Sequence, residues 1–147
     1  MADGYDAQIL WVDLTDGRTE VREPGKEVMR KYIGGAGLAA KILWEETSAD
    51  TEPFASENPL IFMTGPLTGV AQQSSRHIVA GISPLTNIWG RAHSGGNWAD
   101  KLRRSGFMGI VIKGKARKPV YLRLYNGEAE ICDASSLWGM DTYEVEE

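Results

Sequence analysis

At 147 residues, with 42% apolar and 24% charged side chains, the chain is long enough for one hydrophobic core and too rich in apolar and aromatic residues to stay disordered. No apolar run nears the ~20 residues of a membrane-spanning helix and the opening Met-Ala-Asp-Gly-Tyr-Asp is acidic, so neither a membrane span nor an export signal is expected. A net charge of −4 makes no case for nucleic acid, and the single thiol, Cys132, can form no internal disulfide and cannot alone hold zinc or an iron–sulfur cluster, which places the chain in the cytoplasm by expectation.

Residues 8–14 read as a strand, Thr15-Asp16-Gly17-Arg18 as a tight turn and residues 19–22 as its return, a hairpin. Residues 27–33 form a short helix stopped by Gly34-Gly35, and Leu38, Ile42 and Leu43 recur at helical spacing in a second helix over 37–46. Residues 50–58 are loop. The apolar, β-rich runs 60–64 and 77–82 each lead into a Pro-initiated turn, Gly-Pro-Leu-Thr-Gly and Ser-Pro-Leu-Thr-Asn. Residues 91–97 read as a loop, 95–105 as a helix with Trp98 and Leu102 on one face and Gly106 as its stop. Runs 109–113, 120–125 and 128–132 are strands, the last two joined by the hairpin signal Asn126-Gly127. The order β, β, α, α, β, β, α, β, β, β is rich in hairpins and predicts an α+β fold of mainly antiparallel sheets with intervening helices. Asp141-Thr142-Tyr143-Glu144 has the spacing of a helix start just before the sequence stops, so the chain is expected to be part of something larger: residues 1–147 as most of a single cofactor-binding domain, truncated at its C-terminal end.

Charge is segregated along the chain. Residues 1–57 hold 12 acids and 6 bases, residues 58–123 hold 1 acid and 10 bases, and residues 124–147 hold 7 acids and no base. Most of the bases suit solvated faces and loop ends. Residues 58–99 are different: they contain no carboxylate, only Arg76 and Arg91 as bases, and six glycines. Glycines let backbone N–H groups approach a ligand and no acid repels it, so this segment suits an anion.

Four candidate features stand out within this pattern. Gly35-Ala36-Gly37-Leu38-Ala39-Ala40 spells a dinucleotide fingerprint but follows a helix instead of a strand, so its glycines are read as letting two helices meet. His77 opens an apolar strand and reads as a packing or edge residue; with His93 as the only other imidazole and no nucleophile elbow, a hydrolase triad has no support. His93-Ser94-Gly95-Gly96 precedes a helix, where free N–H groups attract phosphate. Arg76, after Gln72-Gln73-Ser74-Ser75, can fork onto a phosphate or a cofactor edge, or face water.

The chain resembles the N-terminal domain of the tungsten-containing aldehyde ferredoxin oxidoreductase family. The resemblance is carried over nearly the whole length by Tyr32-Ile33-Gly34-Gly35-Ala36-Gly37-Leu38-Ala39, Phe54-Ala55-Ser56-Glu57-Asn58-Pro59-Leu60, Thr64-Gly65-Pro66-Leu67-Thr68-Gly69, Ser83-Pro84-Leu85-Thr86, His93-Ser94-Gly95-Gly96 and Asp133-Ala134-Ser135-Ser136-Leu137-Trp138-Gly139. It implies a domain that cups a bis-molybdopterin cofactor of tungsten or molybdenum, with the pterin phosphates meeting at magnesium. By the same analogy Arg76 lies between pterin and a [4Fe–4S] cluster, and the main chain around His93, Ser94, Gly95 and Gly96 meets pterin phosphate or its magnesium. The family's pattern commonly has asparagine at the position of His93, a change that a backbone-carbonyl contact tolerates.

The family oxidises aldehydes to carboxylic acids and sends two electrons through the cluster to ferredoxin. The cluster's cysteines and the substrate channel lie in later domains, so the implied partners are those domains, ferredoxin and an aldehyde, and the chain alone is expected to be catalytically silent. Two other readings rest on the same residues: a stand-alone module holding a phosphate-bearing small molecule, and an assembly domain that docks through its acidic C-terminal stretch and a sheet edge. Self-association through an apolar face or an open edge strand is also expected.

Overall fold

Strand-forming runs alternate with two helical segments before a late return to β-structure, and that order decides the sheet. In a computed structural model that describes residues 7–146, the elements are β1 (Ile9–Asp13), β2 (Arg18–Arg22), α1 (Lys26–Tyr32), α2 (Gly35–Glu46), β3 (Leu60–Thr64), β4 (His77–Ile82), β5 (Trp89–Ser94), α3 (Trp98–Arg104), β6 (Gly109–Lys113), β7 (Val120–Tyr125), β8 (Glu128–Asp133) and α4 (Thr142–Glu146). The strands make one six-stranded sheet in the order β2-β1-β6-β3-β4-β5 and a separate β7-β8 hairpin.

The large sheet is antiparallel except at β1 and β6, which run parallel with Ile9 opposite Gly109 and Asp13 opposite Lys113. Alternation along each strand sorts the core into two layers. On one face Ile9, Ile61, Met63, Ile78, Ala80 and Val111 meet Met29 of α1 and Leu38, Ala39, Ile42 and Leu43 of α2. On the other, Leu10, Val12 and Ile110 meet Leu102 of α3, Phe107 and the inward side of the β7-β8 hairpin, Leu122, Leu124, Ala129 and Ile131. Strand β6 is covered on both faces, which is why it reads as the unbroken apolar run Gly-Ile-Val-Ile. Strand β2 is an edge and is exposed along its whole length, consistent with Arg-Thr-Glu-Val-Arg.

The α+β expectation is borne out, as are both hairpins and the three helices, whose observed bounds of 26–32, 35–46 and 98–104 differ by one to three residues from the expected 27–33, 37–46 and 95–105. Asn126 and Gly127 both adopt positive φ, the backbone of a two-residue hairpin turn. The helix start at Asp141 is present as a capping box: its Oδ1 accepts from Tyr143 N at 2.8 Å and Glu144 N at 3.0 Å, while Glu144 Oε2 accepts from Asp141 N at 2.8 Å.

One expectation is corrected. Residues 91–97 were expected as loop, but Trp89–Ser94 is strand β5, paired with β4 along its full length from Ile82–Trp89 to His77–Ser94. It lies at the sheet edge and is largely exposed, so backbone pairing holds it without the apolar alternation that marks a covered strand. The loop after α2 is tied to the far end of β4 by Asn58, which accepts from Ile82 N at 2.9 Å and donates to Pro53 O at 2.7 Å.

Candidate functional site

The antiparallel register brings three chain segments to one end of the sheet. Thr64 closes β3 opposite His77, which opens β4; His77 in turn lies opposite Ser94, the last residue of β5. The turn after β3, the segment leading into β4 and the segment leaving β5 therefore adjoin. The α1–α2 junction covers the same end, because Gly34 sits against Thr64, Pro66 and Met108.

Between these segments lies a hollow of about 400 Å³. Its walls include Ile33, Gly35 and Ala36 from the helix junction, Gly65, Pro66, Leu67 and Thr68 from the turn, and Arg76 and His93 from the strand ends. The turn is fixed from beneath. The Thr64 hydroxyl donates to Met108 O at 2.6 Å, and buried Thr68 donates to Ser74 O at 3.0 Å while accepting from Gly65 N at 3.3 Å. The Ser75 hydroxyl donates to Gly96 O and so ties the segment before Arg76 to the glycines after β5.

The sequence-predicted site residues are thus neighbours. Arg76 and His93 line the hollow itself; Ser94, Gly95 and Gly96 flank it through the His77–Ser94 pairing and the Ser75–Gly96 hydrogen bond. Chain neighbours apart, no atom lies within 4 Å of where a Cβ would stand on Gly95 or Gly96, so that side of each residue is open. Arg76 is exposed and makes no ion pair among the described residues. No carboxylate lines the hollow.

Sequence reasoning missed the contribution of α2. Its start, Gly35 and Ala36, lines the hollow with no side-chain cap and no acid in the first turn. The unpaired N–H groups and partial positive charge of that helix end favour an anion. The glycines were read from sequence as a helix junction, and they are one, but the missing cap was also a sign of a site. Backbone geometry there is strained: Ile33, at φ 68° and ψ −51°, is the centre of a three-residue turn closed by Gly34 N donating to Tyr32 O at 2.7 Å.

His77 has the packing role expected of it. It is 8% exposed, its ring centroid lies 4.4 Å from that of Trp98, and Nδ1 has no hydrogen-bond partner. Burial holds its pKa below the usual imidazole value. The folded form therefore binds this proton less readily than the unfolded chain, so stability present above the unfolded pKa of about 6.5 is lost as pH falls below that value, until the lowered folded pKa is passed. Denaturation midpoints between pH 7.5 and 5 are expected to fall with acidity in the parent chain and to fall less in His77→Phe.

A second hollow, of about 320 Å³ beside β1, β2 and the end of α2, is lined by charges of both signs. These are satisfied internally: Glu46 holds Lys113 at 2.9 Å, Glu20 holds Arg22 at 2.8 Å and Asp16 holds Arg18. Asp13, the fourth carboxylate of its lining, has no cation partner and accepts instead from the backbone N–H of Thr15 at 2.8 Å and of Asp16 at 3.2 Å.

The structure is thus an α+β domain with a hollow at one sheet end that no carboxylate lines. The family model described as aldehyde ferredoxin oxidoreductase, N-terminal domain, matches residues 9–147, and the chain belongs to that family. It is 41% identical over 144 residues to a tungsten-containing aldehyde ferredoxin oxidoreductase of Pyrococcus abyssi, covering 97% of this chain and 24% of the relative. An aliphatic sulfonate oxidoreductase, WOR-like subunit, of Pyrococcus furiosus is 37% identical over 96% of this chain and 23% of its own length. Among solved structures, the active site complex BamBC of benzoyl coenzyme A reductase in complex with 1,5-dienoyl-CoA matches with a TM-score of 0.94 and 38% identity, over 99% of this chain and 22% of that one. The chain therefore spans about a quarter of the length of the relatives it matches.

Proposed function

We propose that this chain is the cofactor-binding N-terminal domain, most of one domain over residues 1–147, of a tungstopterin oxidoreductase that converts an aldehyde to a carboxylic acid. One observation carries the reading. Arg76 and His93 line a hollow at a sheet end that no carboxylate lines, and Ser94, Gly95 and Gly96 adjoin it. The planar guanidinium of Arg76 matches a phosphate or pterin edge with two parallel N–H donors. The main chain from His93 to Gly96 supplies backbone groups to a phosphate or to magnesium bound on it.

The donor set fits the organic part of such a cofactor and not its metal. Among the described residues no cluster of three or more His, Cys, Asp or Glu could hold a metal ion, so the tungsten or molybdenum would be held by the dithiolenes of the two pterins. When bound, that group supplies oxygen transfer and two-electron redox chemistry, while the protein supplies position and electrostatics. This chain's residues bind the phosphate end, orient the pterin and keep negative side chains away from it. The [4Fe–4S] ligands, the aldehyde channel and the ferredoxin surface belong to residues outside this chain, whose single thiol, Cys132, lies in β8.

Two measurements test the reading. Protein produced in a host that makes the cofactor should carry tungsten or molybdenum and release pterin on oxidation; protein free of both would overturn it. The 147-residue chain by itself is expected to give no aldehyde-dependent reduction of a viologen dye, and turnover by it alone would show that the chemistry needs no further residues.

A further inference from the structure

The tip of the β7-β8 hairpin carries a chemistry of its own. In a two-residue turn the amide of the second central residue has no partner within the hairpin, and here that amide belongs to Gly127. Its partner comes from another element: Gly127 N donates to Ser105 O at 2.6 Å. Ser105 caps the end of α3, and its carbonyl is one of those that a helix terminus leaves unpaired. The two segments approach closely because both contribute glycine. A Cβ on Gly106 would stand 3.1 Å from Gly127 Cα and 3.2 Å from Gly127 N. Asn126 itself is exposed, and its side-chain amide makes no hydrogen bond among the described residues.

An asparagine followed by glycine carries both an electrophile and a nucleophile: the next backbone nitrogen can close a ring on the side-chain Cγ, and glycine has no Cβ to obstruct it. Once base removes the Gly127 amide proton, the nitrogen attacks Asn126 Cγ; the N–Cγ bond forms, the Cγ–Nδ2 bond breaks, and ammonia leaves after taking a proton from water. Water then opens the succinimide at either carbonyl to give aspartate or isoaspartate. No oxidant or reductant takes part. The proton that must go first is the one held by Ser105 O. We propose that Asn126 is a deamidation site locked by α3: the Gly127–Ser105 hydrogen bond keeps the nucleophile protonated, so the amide is lost only when the hairpin tip lifts from the helix end. The change then prevents return, because isoaspartate adds a main-chain carbon to a turn that two residues must close.

The readout is direct, since cleavage after Arg123 leaves residues 124–147 as one peptide in which Asn126 is the only side-chain amide. At mildly alkaline pH the folded 147-residue chain is expected to lose that amide about tenfold more slowly than a synthetic peptide of residues 120–131, the factor that one hydrogen bond supplies. Hydrogen exchange of the Gly127 amide should be slowed by the same factor, because both reactions need the same local opening. Gly106→Ala introduces the obstructing Cβ at a φ of 106° and should bring deamidation to within about twofold of the peptide rate. Gly17→Ala is the control for general destabilisation: it places a Cβ at another positive-φ glycine, φ 66°, with nothing within 4 Å, and should leave Asn126 as slow to react as in the parent. Equal rates in the folded chain and the peptide would overturn the proposal. A Gly106→Ala chain that folds and reacts no faster than Gly17→Ala would do the same. Should Gly106→Ala fail to fold, exchange in the parent decides: a protected Gly127 amide that matches the deamidation rate supports the lock, and a freely exchanging one overturns it.

Discussion

An alanine at Gly34 is expected to lower the free energy of unfolding by about 3 kcal/mol. Gly34 has φ 144° and ψ −165°, a region that residues with a Cβ essentially do not enter. An added Cβ would also overlap Met108 Cε and stand 3.2 Å from Thr64 O. The methionine end is flexible, but Met108 is buried to within 1% of full coverage and has little room to withdraw. Thr64 is held more firmly, with its N–H donating to Met108 O at 3.0 Å and its hydroxyl to the same oxygen at 2.6 Å. The displacement therefore falls on the helix junction that walls the hollow. Urea unfolding checks this, with a lower midpoint and an unchanged slope expected. A loss under about 1 kcal/mol would mean that the junction can be rebuilt without this backbone geometry.

Replacing Arg76 with alanine is expected to weaken binding of a pterin phosphate by roughly 10- to 100-fold, the range set by loss of a charge-assisted hydrogen-bond pair. Folding should be unaffected to within about 0.5 kcal/mol, because Arg76 is exposed and makes no ion pair among the described residues. The separation of these two effects is what distinguishes a ligand contact from a packing residue. Arg76→Lys keeps the charge and loses the fork, so it should recover only part of the affinity. Raising salt should weaken the parent more than the alanine variant, since one of the two attractions it screens is gone in the latter. Unchanged affinity in Arg76→Ala would remove this residue from the site.

Much of the architecture was legible because local patterns and tertiary contacts agree. The Gly-Ile-Val-Ile run of β6, the Leu38-Ile42-Leu43 stripe of α2 and the Asn126-Gly127 turn each specify their element from adjacent residues alone. Strand β5 was not legible: Trp-Gly-Arg-Ala-His-Ser has neither alternation nor a continuous apolar run, and only its pairing with β4 makes it a strand. The parallel partnership of β1 with β6 was also out of reach, because residues a hundred positions apart leave no local mark of one another. Of the residues that line the hollow, Arg76 and His93 were singled out from residue type and from the resemblance. Ile33 was not, because an isoleucine at the end of a helix reads as ordinary until its backbone angles are known. Gly35 and Ala36 were seen but given a purely architectural part, since their spelling suggested a nucleotide motif in the wrong setting.

The placement of β6 has a further consequence for biosynthesis. Strand β6 separates β1 from β3, with Leu10 opposite Ile110 on one side and Leu60 opposite Ile112 on the other. Until Lys113 has left the ribosome, the nascent protein consists of an N-terminal hairpin and a three-stranded meander with an unfilled slot between them. Leu10 and Val12, fully covered at the end, lack during that interval Ile110 and the β7-β8 hairpin that join their cover. Long-range closure of this kind is slow and leaves sticky intermediates, so chaperone dependence should be greatest for nascent chains that stop short of this insertion and should drop once it is complete.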